Sequence, residues 1–302
     1  MILMYDCIII GGGPAGLNAA LVLGRARRSV AIIDNNKPRN AVTHASHGFI
    51  TRDGVKPSEF RSIAAEELSH YPSINQFQAE VVSIEKTHTG FTVVDSSGQT
   101  YEAKKIVLAT GVSEVFQEIE GFYSYYGKSL FVCPYCDGWE QRDQPLIIVS
   151  ESPHVFHYTK TIYNWSKDLI VCTNGHTVLS DEQKEKLESK GIKIIEQPVT
   201  SFLGTDGQLE KVRFADGMEI NRSGGFVMPK KIIANLQLVE NLGCETEESG
   251  ILKTDDFGRT SIKGLYASGD ASYVNPSQLI FAAADGSKIA AGINMDLIEE
   301  EF

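Results

Sequence analysis

The residues best equipped for chemistry are Cys133 and Cys136, separated by Pro134 and Tyr135 and followed at once by Asp137. Two cysteines with two residues between them can close a small disulfide, and a second cysteine that opens a helix has its thiolate favoured by the unpaired N–H groups there. The pair reads first as a redox dithiol. Two other readings compete: half of a zinc site, which needs a second Cys or His pair at ligand spacing, and a coincidence of burial. Cys7, Cys172 and Cys244 stand singly and far apart, which weighs against zinc. Asp137 is placed either to carry protons to and from a thiol or to cap a helix start.

A second set of chemically suggestive residues opens the chain. Tyr5-Asp6-Cys7-Ile8-Ile9-Ile10 is the branched apolar run of a strand buried on both faces, and it leads straight into Gly11-Gly12-Gly13-Pro14-Ala15-Gly16. A helix-forming stretch (17–26), a second strand (29–33) and Asp34 follow. Each piece has a physical role. Gly11 permits a tight turn, Gly13 lets the backbone approach a pyrophosphate, and Gly16 lets the helix pack close to the strand. The helix N-terminus then faces the phosphates, and Asp34 stands where a carboxylate would hold a ribose hydroxyl pair.

These groups need a frame to position them. Residues 58–68 read as a helix after Pro57, and 78–86, 90–94 and 100–104 as a small β-meander. The run 105–111, ending Ala109-Thr110-Gly111, reads as a buried strand with a small-residue corner that lets a flat ring or a phosphate come near the backbone. Past the dithiol, strands at 145–149 and 169–172 flank a helix at 154–165, so a second βαβ unit is expected. Ser180-Asp181-Glu182-Gln183 fits a capping box for a helix to 190, followed by a strand at 192–196. Strands at 199–203, 209–214 and 218–221 form a second meander, which 225–228 is expected to close. A strand at 264–267, the turn Ser268-Gly269-Asp270 and a helix over 277–300 end the chain. His44 and His47 lie in a long polar loop and read as packing or ligand-contact residues, because no third ligand stands at helical spacing. Tyr123, Tyr125, Tyr126, Tyr135 and Trp139 either line an approach to the dithiol or belong to core and interface.

Composition narrows the class. With 302 residues, 42% hydrophobic and 22% charged, the chain is too long for one small core, and two domains are expected. A net charge of −11 without an extended basic run argues against nucleic acid. The start of the chain lacks a secretory pattern and no segment approaches eighteen consecutive apolar residues, so a cytoplasmic protein without a membrane partner is expected. In a reducing compartment a CxxC is more often catalytic than structural.

The glycine turn with Asp34, Ala109-Thr110-Gly111, Cys133-Pro134-Tyr135-Cys136-Asp137-Gly138, and Gly258-Arg259-Thr260-Ser261 with Gly269-Asp270-Ala271, in this order, resemble the low-molecular-weight thioredoxin reductase family. The resemblance is specific over 1–140 and 245–302 and covers the middle in outline. It implies an α/β fold of two Rossmann-like three-layer domains, the second inserted in the first: an FAD-binding domain from 1–112 and 245–302, and a nucleotide-binding-like domain, 113–244, carrying the dithiol. It also implies a homodimer and a small dithiol/disulfide or a thioredoxin-like protein as substrate. By position, Gly11, Gly13, Pro14, Ala15, Gly16 and Asp34 would hold the ADP part of FAD, and Val82 would lie beside the adenine. Asn40, Thr110 and Gly111 belong to the same cofactor set. Gly269 and Asp270 would meet the ribityl and pyrophosphate, and Gln278 and Leu279 would border the flavin. Cys136 would be the thiol that attacks the flavin, Cys133 the one that exchanges with substrate, and Asp137 the acid/base.

Three departures stand out. After 145–149 the family's NADPH turn needs a second glycine fingerprint, but this chain has Ser150-Glu151-Ser152-Pro153-His154-Val155. Neither glycine is present, Pro153 removes a backbone donor, and Glu151 sets a negative charge beside the expected pyrophosphate, where like charges about 5 Å apart cost about 1 to 3 kcal/mol. The next strand ends in Cys172-Thr173-Asn174-Gly175-His176, without the Arg that would grip a 2′-phosphate. The family's Arg-Gln-Ala near the flavin reads Ser277-Gln278-Leu279. NADPH is therefore doubtful as a cofactor. Pro38-Arg39-Asn40, His47-Gly48 and Gly138-Trp139-Glu140 are similar to a branch of the family, flavin-dependent dithiol oxidases that pass electrons to oxygen, although Asp137 is the reductase residue. The expected activity is FAD-dependent thiol/disulfide exchange through Cys133 and Cys136 without direct NADPH binding. The alternatives are an NADPH-dependent reductase with an atypical nucleotide site and a flavin-bearing redox sensor without turnover.

Overall fold

The strand Met4–Ile10 forms the axis of the first sheet, and its alternation sets two cores. Ile8 and Ile10 face one, Cys7 and Ile9 the other. In the computed structural model, which describes residues 4–272 and 277–302, seven strands among the described residues join this sheet. Met4–Ile10 pairs in parallel with Val30–Asp34 (Ile8 opposite Ala31) and with Thr100–Leu108 (Ile8 opposite Ile106), and Ile74–Gln78 adds to the outer edge of Val30–Asp34. Leu265–Ala267 pairs with the far side of Thr100–Leu108, so the end of the chain completes the sheet begun by its start. Helices Pro14–Arg25 and Leu279–Glu301 cover one face, while the meander and residues from 236–252 cover the other.

Thr100–Leu108 corrects the sequence reading, which divides it between a meander strand and a separate buried strand. Its first residues alternate buried and half-buried and pair antiparallel with Phe91–Asp95; from Lys105 onward every residue is buried and the pairing is parallel. One continuous strand thus carries both burial patterns, because it runs from a part of the sheet covered on one face into a part covered on two. The expected strand over 78–86 is likewise two strands, Ile74–Gln78 in the parallel sheet and Val81–Lys86 in the meander.

The chain folds into two compact units: Met1–Ala41, Gly48–Ser113 and Ile233–Phe302 form one, Val42–His47 and Glu114–Ile232 the other. The chain rejoins the first unit at Ile233, earlier than 245, because Leu236, Leu238, Val239 and Leu242 pack into the first unit's core. In the second unit five parallel strands run in the order Lys193–Ile195, Leu169–Cys172, Leu146–Val149, Gly224–Val227, Leu130–Phe131 among the described residues. Gly224–Val227 therefore sits inside this sheet and does not close the meander, which consists of Val199–Thr205, Gln208–Phe214 and Glu219–Asn221. Its two glycines permit that place: a Cβ on Gly225 would fall 2.2 Å from the Ile147 carbonyl oxygen. The capping box forms as expected, Ser180 Oγ accepting from the Gln183 N–H and Gln183 Oε1 from the Ser180 N–H. Among the described residues no helix is long and apolar enough to cross a membrane.

Candidate active site

The dithiol sits on a single helical turn, Pro134–Asp137, that follows the buried strand Leu130–Phe131. Cys133 is its extended N-cap and Pro134 its first residue, a position where proline's missing N–H costs nothing. Cys136 is thus the third residue of the turn, not its opening residue as the sequence suggests. The Cys133 carbonyl accepts from the N–H groups of Cys136 and Asp137, each at 3.1 Å, and the cysteines are joined as a disulfide with Cα atoms 5.2 Å apart. In this disulfide form neither sulfur offers a thiolate. Gly138 closes the turn against Trp165, where a Cβ would lie 2.7 Å from the indole and 2.3 Å from the Pro134 carbonyl oxygen.

Asp137 ends the turn, which removes the capping reading. Burial pushes its carboxyl up to about 7, the nearby Glu140 charge adds to the rise, and His47 partly offsets it. His47 Nε2 lies 3.6 Å from Glu140 Oε1. The Tyr158 hydroxyl donates to the Val132 carbonyl at 2.5 Å and is held well above its usual range, first by burial and then by Asp137. His47, Glu140 and Tyr158 are functional candidates that no spacing rule selects, since they come from three separate segments. The aromatics divide: Tyr125 is buried and Tyr126 stacks on Phe122, whereas Tyr123, Tyr135 and Trp139 are exposed. Tyr135 sets its edge against Trp165 and the Arg142 guanidinium lies 4.2 Å from the Trp139 ring.

In the first unit the glycine turn has the expected sterics. Gly11 takes φ +110°, with its would-be Cβ 2.3 Å from the Ala109 carbonyl oxygen, and a Cβ on Gly16 would meet the Gly11 oxygen at 2.0 Å. A Cβ on Gly13 would meet nothing within 4 Å, so the backbone before helix Pro14–Arg25 faces open space of the kind a pyrophosphate needs. Asp34 ends its strand with Oδ1 accepting from the Gly12 N–H at 2.8 Å, Oδ2 from the Asn36 N–H at 3.0 Å, and a charge-assisted bond from Arg61. Gly111 (φ +62°) follows Thr110, whose carbonyl accepts from Asn235 Nδ2 at 2.9 Å.

Gly269 brings the C-terminal motif to this turn. A Cβ there would lie 2.9 Å from Ala15 Cβ, and its N–H donates to Asp285 at 2.8 Å. Asp270 is tied to Arg39 and Ser277, and Gln278 is the N-cap of the helix that Leu279 opens. Asn40 lies on the short turn Arg39–Val42, and Val82 stands more than half exposed on Val81–Lys86. The structure therefore gathers Gly11, Ala15, Gly16, Asp34 and Gly269 around one turn. This donor set fits FAD: an open glycine cradle, a helix N-terminus and a carboxylate at the strand end. Arg61 and Asn235 are absent from the sequence reading, and Arg39 enters it only within Pro38-Arg39-Asn40 and with no role, because each acts on a residue distant in the chain.

The turn after Leu146–Val149 has a different character. Ser150 Oγ accepts from the Ser152 N–H (3.1 Å) and Ser152 Oγ from the His154 N–H (3.2 Å). The Glu151 carboxylate is largely buried, accepts from Asn174 Nδ2 at 2.5 Å, and has Lys230 at 3.5 Å and His176 at 3.6 Å.

Residues 5–286 match the pyridine nucleotide-disulphide oxidoreductase family. The TrxB crystal structure from Bacillus anthracis is 49% identical with a TM-score of 0.95, over 99% of this chain and 100% of that one. The crystal structure of HlmI is 33% identical with a TM-score of 0.92, over 99% and 94%. Thioredoxin reductase sirT of Leptosphaeria maculans is 30% identical over 98% of this chain and 95% of its own length. With a disulfide and a raised carboxyl on one turn and an FAD-type glycine cradle in the same chain, the protein belongs to the pyridine nucleotide-disulphide oxidoreductase family, as an FAD-dependent disulfide oxidoreductase with the thioredoxin reductase fold.

Proposed function

We propose that the protein moves two electrons between a dithiol/disulfide substrate and FAD through Cys133 and Cys136, without binding NADPH directly. The observation that carries this is the turn at 150–155. Two of its backbone donors are engaged by Ser150 and Ser152, Pro153 has none, and Glu151 is locked in place by Asn174, with His176 and Lys230 beside it. A dinucleotide would have to break that cluster and set its pyrophosphate beside a carboxylate.

Gly11, Gly13, Pro14, Ala15, Gly16 and Asp34 would hold the ADP part of FAD, with Asn40, Val82, Thr110, Gly111, Gly269, Asp270, Gln278 and Leu279 completing the set. Bound FAD supplies the two-electron acceptor or donor. A thiolate of the substrate attacks Cys133, the Cys133–Cys136 bond breaks, and the substrate's second sulfur displaces Cys133, leaving two protein thiols and a substrate disulfide. Asp137, poised near neutral pH, takes and returns the proton that thiol and thiolate exchange. The substrate is a small dithiol/disulfide or a thioredoxin-like protein, with the electrons passing to oxygen or coming from a protein donor. The homodimer belongs to the same reading, supported by Phe281, Met295 and Ile298, exposed on Leu279–Glu301, and sedimentation equilibrium tests it.

Anaerobic stopped-flow reduction compares a small dithiol, NADPH and NADH. The dithiol should bleach the flavin while both nucleotides leave it oxidised. Rapid bleaching by NADPH would instead support a thioredoxin-disulfide reductase with an atypical nucleotide site, a reading favoured by Asp137 and by the names of the relatives. A flavin that none of the three reduces would overturn both.

A further inference from the structure

Three groups from three distant segments close a triangle in the first unit. Arg39 Nη2 lies 3.0 Å from Asp270 Oδ2 and donates to Ser277 Oγ at 2.5 Å, and the Ser277 hydroxyl donates to the same Asp270 oxygen at 2.5 Å. Arg39 opens the turn Arg39–Val42, Asp270 sits in the turn Gly269–Ala271, and Ser277 stands just before helix Leu279–Glu301. Asp270 follows Gly269, which packs on Ala15 beside the glycine cradle.

From this geometry we infer that Arg39 is a positioning residue of the FAD site: it neutralises Asp270, fixes its carboxylate through Ser277, and ties the segment carrying Asn40 to the C-terminal motif. The inference rests on the FAD assignment above.

Electrostatics gives the reason. A pyrophosphate brings negative charge to a place where the chain already sets three carboxylates, and each has a cation. Asp34 has Arg61, Asp285 has Lys288 at 3.6 Å, and Asp270 has Arg39. Lys288 is three residues from its partner on one helix and Arg61 is 27 residues from Asp34, but Arg39 reaches 231 residues along the chain. Of these three pairings, the third alone joins the loop after Val30–Asp34 to the end of the chain, so removing it both bares a charge and unties two walls of the site. A bidentate-capable guanidinium does this better than an ammonium, because it meets the Ser277 hydroxyl and the Asp270 carboxylate from one nitrogen while its plane stays fixed.

The same triangle accounts for Ser277 where the resembled family has arginine. A guanidinium at 277 would compete with Arg39 for one carboxylate oxygen, whereas a hydroxyl accepts from Arg39 and donates to Asp270. The positive charge has moved to the other side of the site and the residue at 277 has become its relay.

The test uses the full-length apoprotein, obtained by removing flavin and reconstituting with FAD while flavin fluorescence is followed. Arg39→Met should weaken FAD binding by roughly 10- to 100-fold, the range expected for losing a charge-assisted hydrogen-bonded pair. Arg39→Lys should fall between Met and the natural residue, and Ser277→Ala should weaken binding less than Arg39→Met. The Arg39→Met apoprotein should melt only slightly below the natural apoprotein, while its FAD-loaded form should fall further below the natural loaded form. Binding of FAD within twofold of the natural protein would overturn the inference, as would an equal loss of stability in apo and loaded forms. If the natural apoprotein itself takes up no FAD, the cofactor assignment falls, not the part given to Arg39.

Discussion

At the scale of single residues, Asp137 sets the expected pH behaviour. Its carboxyl lies near 7 in the folded chain against roughly 3.9 when unfolded, so the native state binds this proton more tightly. The associated stability is fully present below about pH 4 and is lost as pH rises through about 7. Asp137→Asn should flatten that slope, measured as the melting temperature against pH relative to the natural protein. If Asp137 carries the proton as proposed, the same substitution should slow dithiol-driven flavin reduction by roughly 10²- to 10⁴-fold. Glu140→Gln should move the pH midpoint of that reduction down and His47→Gln should move it up, because Glu140 raises the Asp137 carboxyl and His47 lowers it. Midpoints that move the other way would remove His47 and Glu140 from the reaction.

At the scale of elements, three glycines separate packing from ligand space. Helices Pro14–Arg25 and Leu279–Glu301 cross where a Cβ on Gly286 would lie 2.1 Å from the Ala15 carbonyl oxygen. Gly286→Ala should therefore cost about 1 to 3 kcal/mol of stability in urea unfolding, by forcing backbone apart. Gly16→Ala meets the Gly11 oxygen at 2.0 Å and should behave alike. Gly13→Ala meets no protein atom within 4 Å, so the apoprotein should keep its stability while FAD binding weakens. A destabilised Gly13→Ala apoprotein would mean that the space before the helix is needed by the fold and not by a ligand. Lys105 shows the same close fit in charged form: it is buried within Thr100–Leu108 and reaches Glu300, 2.7 Å away on the C-terminal helix.

At the scale of the molecule, the two units have separate cores, and both tryptophans, Trp139 and Trp165, lie in the second. FAD at 100 to 1,000 times its dissociation constant should raise the stability of the unit that binds it by about 2.7 to 4.1 kcal/mol. Flavin release on heating should therefore move upward with added FAD while the tryptophan transition moves less; equal shifts would show that the cores unfold as one. The amino-acid order already specified the parts whose partners are close along the chain. The glycine turn and the Ser180–Gln183 capping box depend on sterics and hydrogen bonds at fixed short spacing, which a linear pattern can state, whereas the dithiol is legible as a pair but its turn opens at Pro134 and not at Cys136. It took the folded chain to show that Gly224–Val227 enters a parallel sheet, that 42–47 brings His47 to Glu140, and that Arg39 meets Asp270. Periodicity says which face of an element is buried but not what lies against it, and those pairings exist only once chain closure has brought distant segments together.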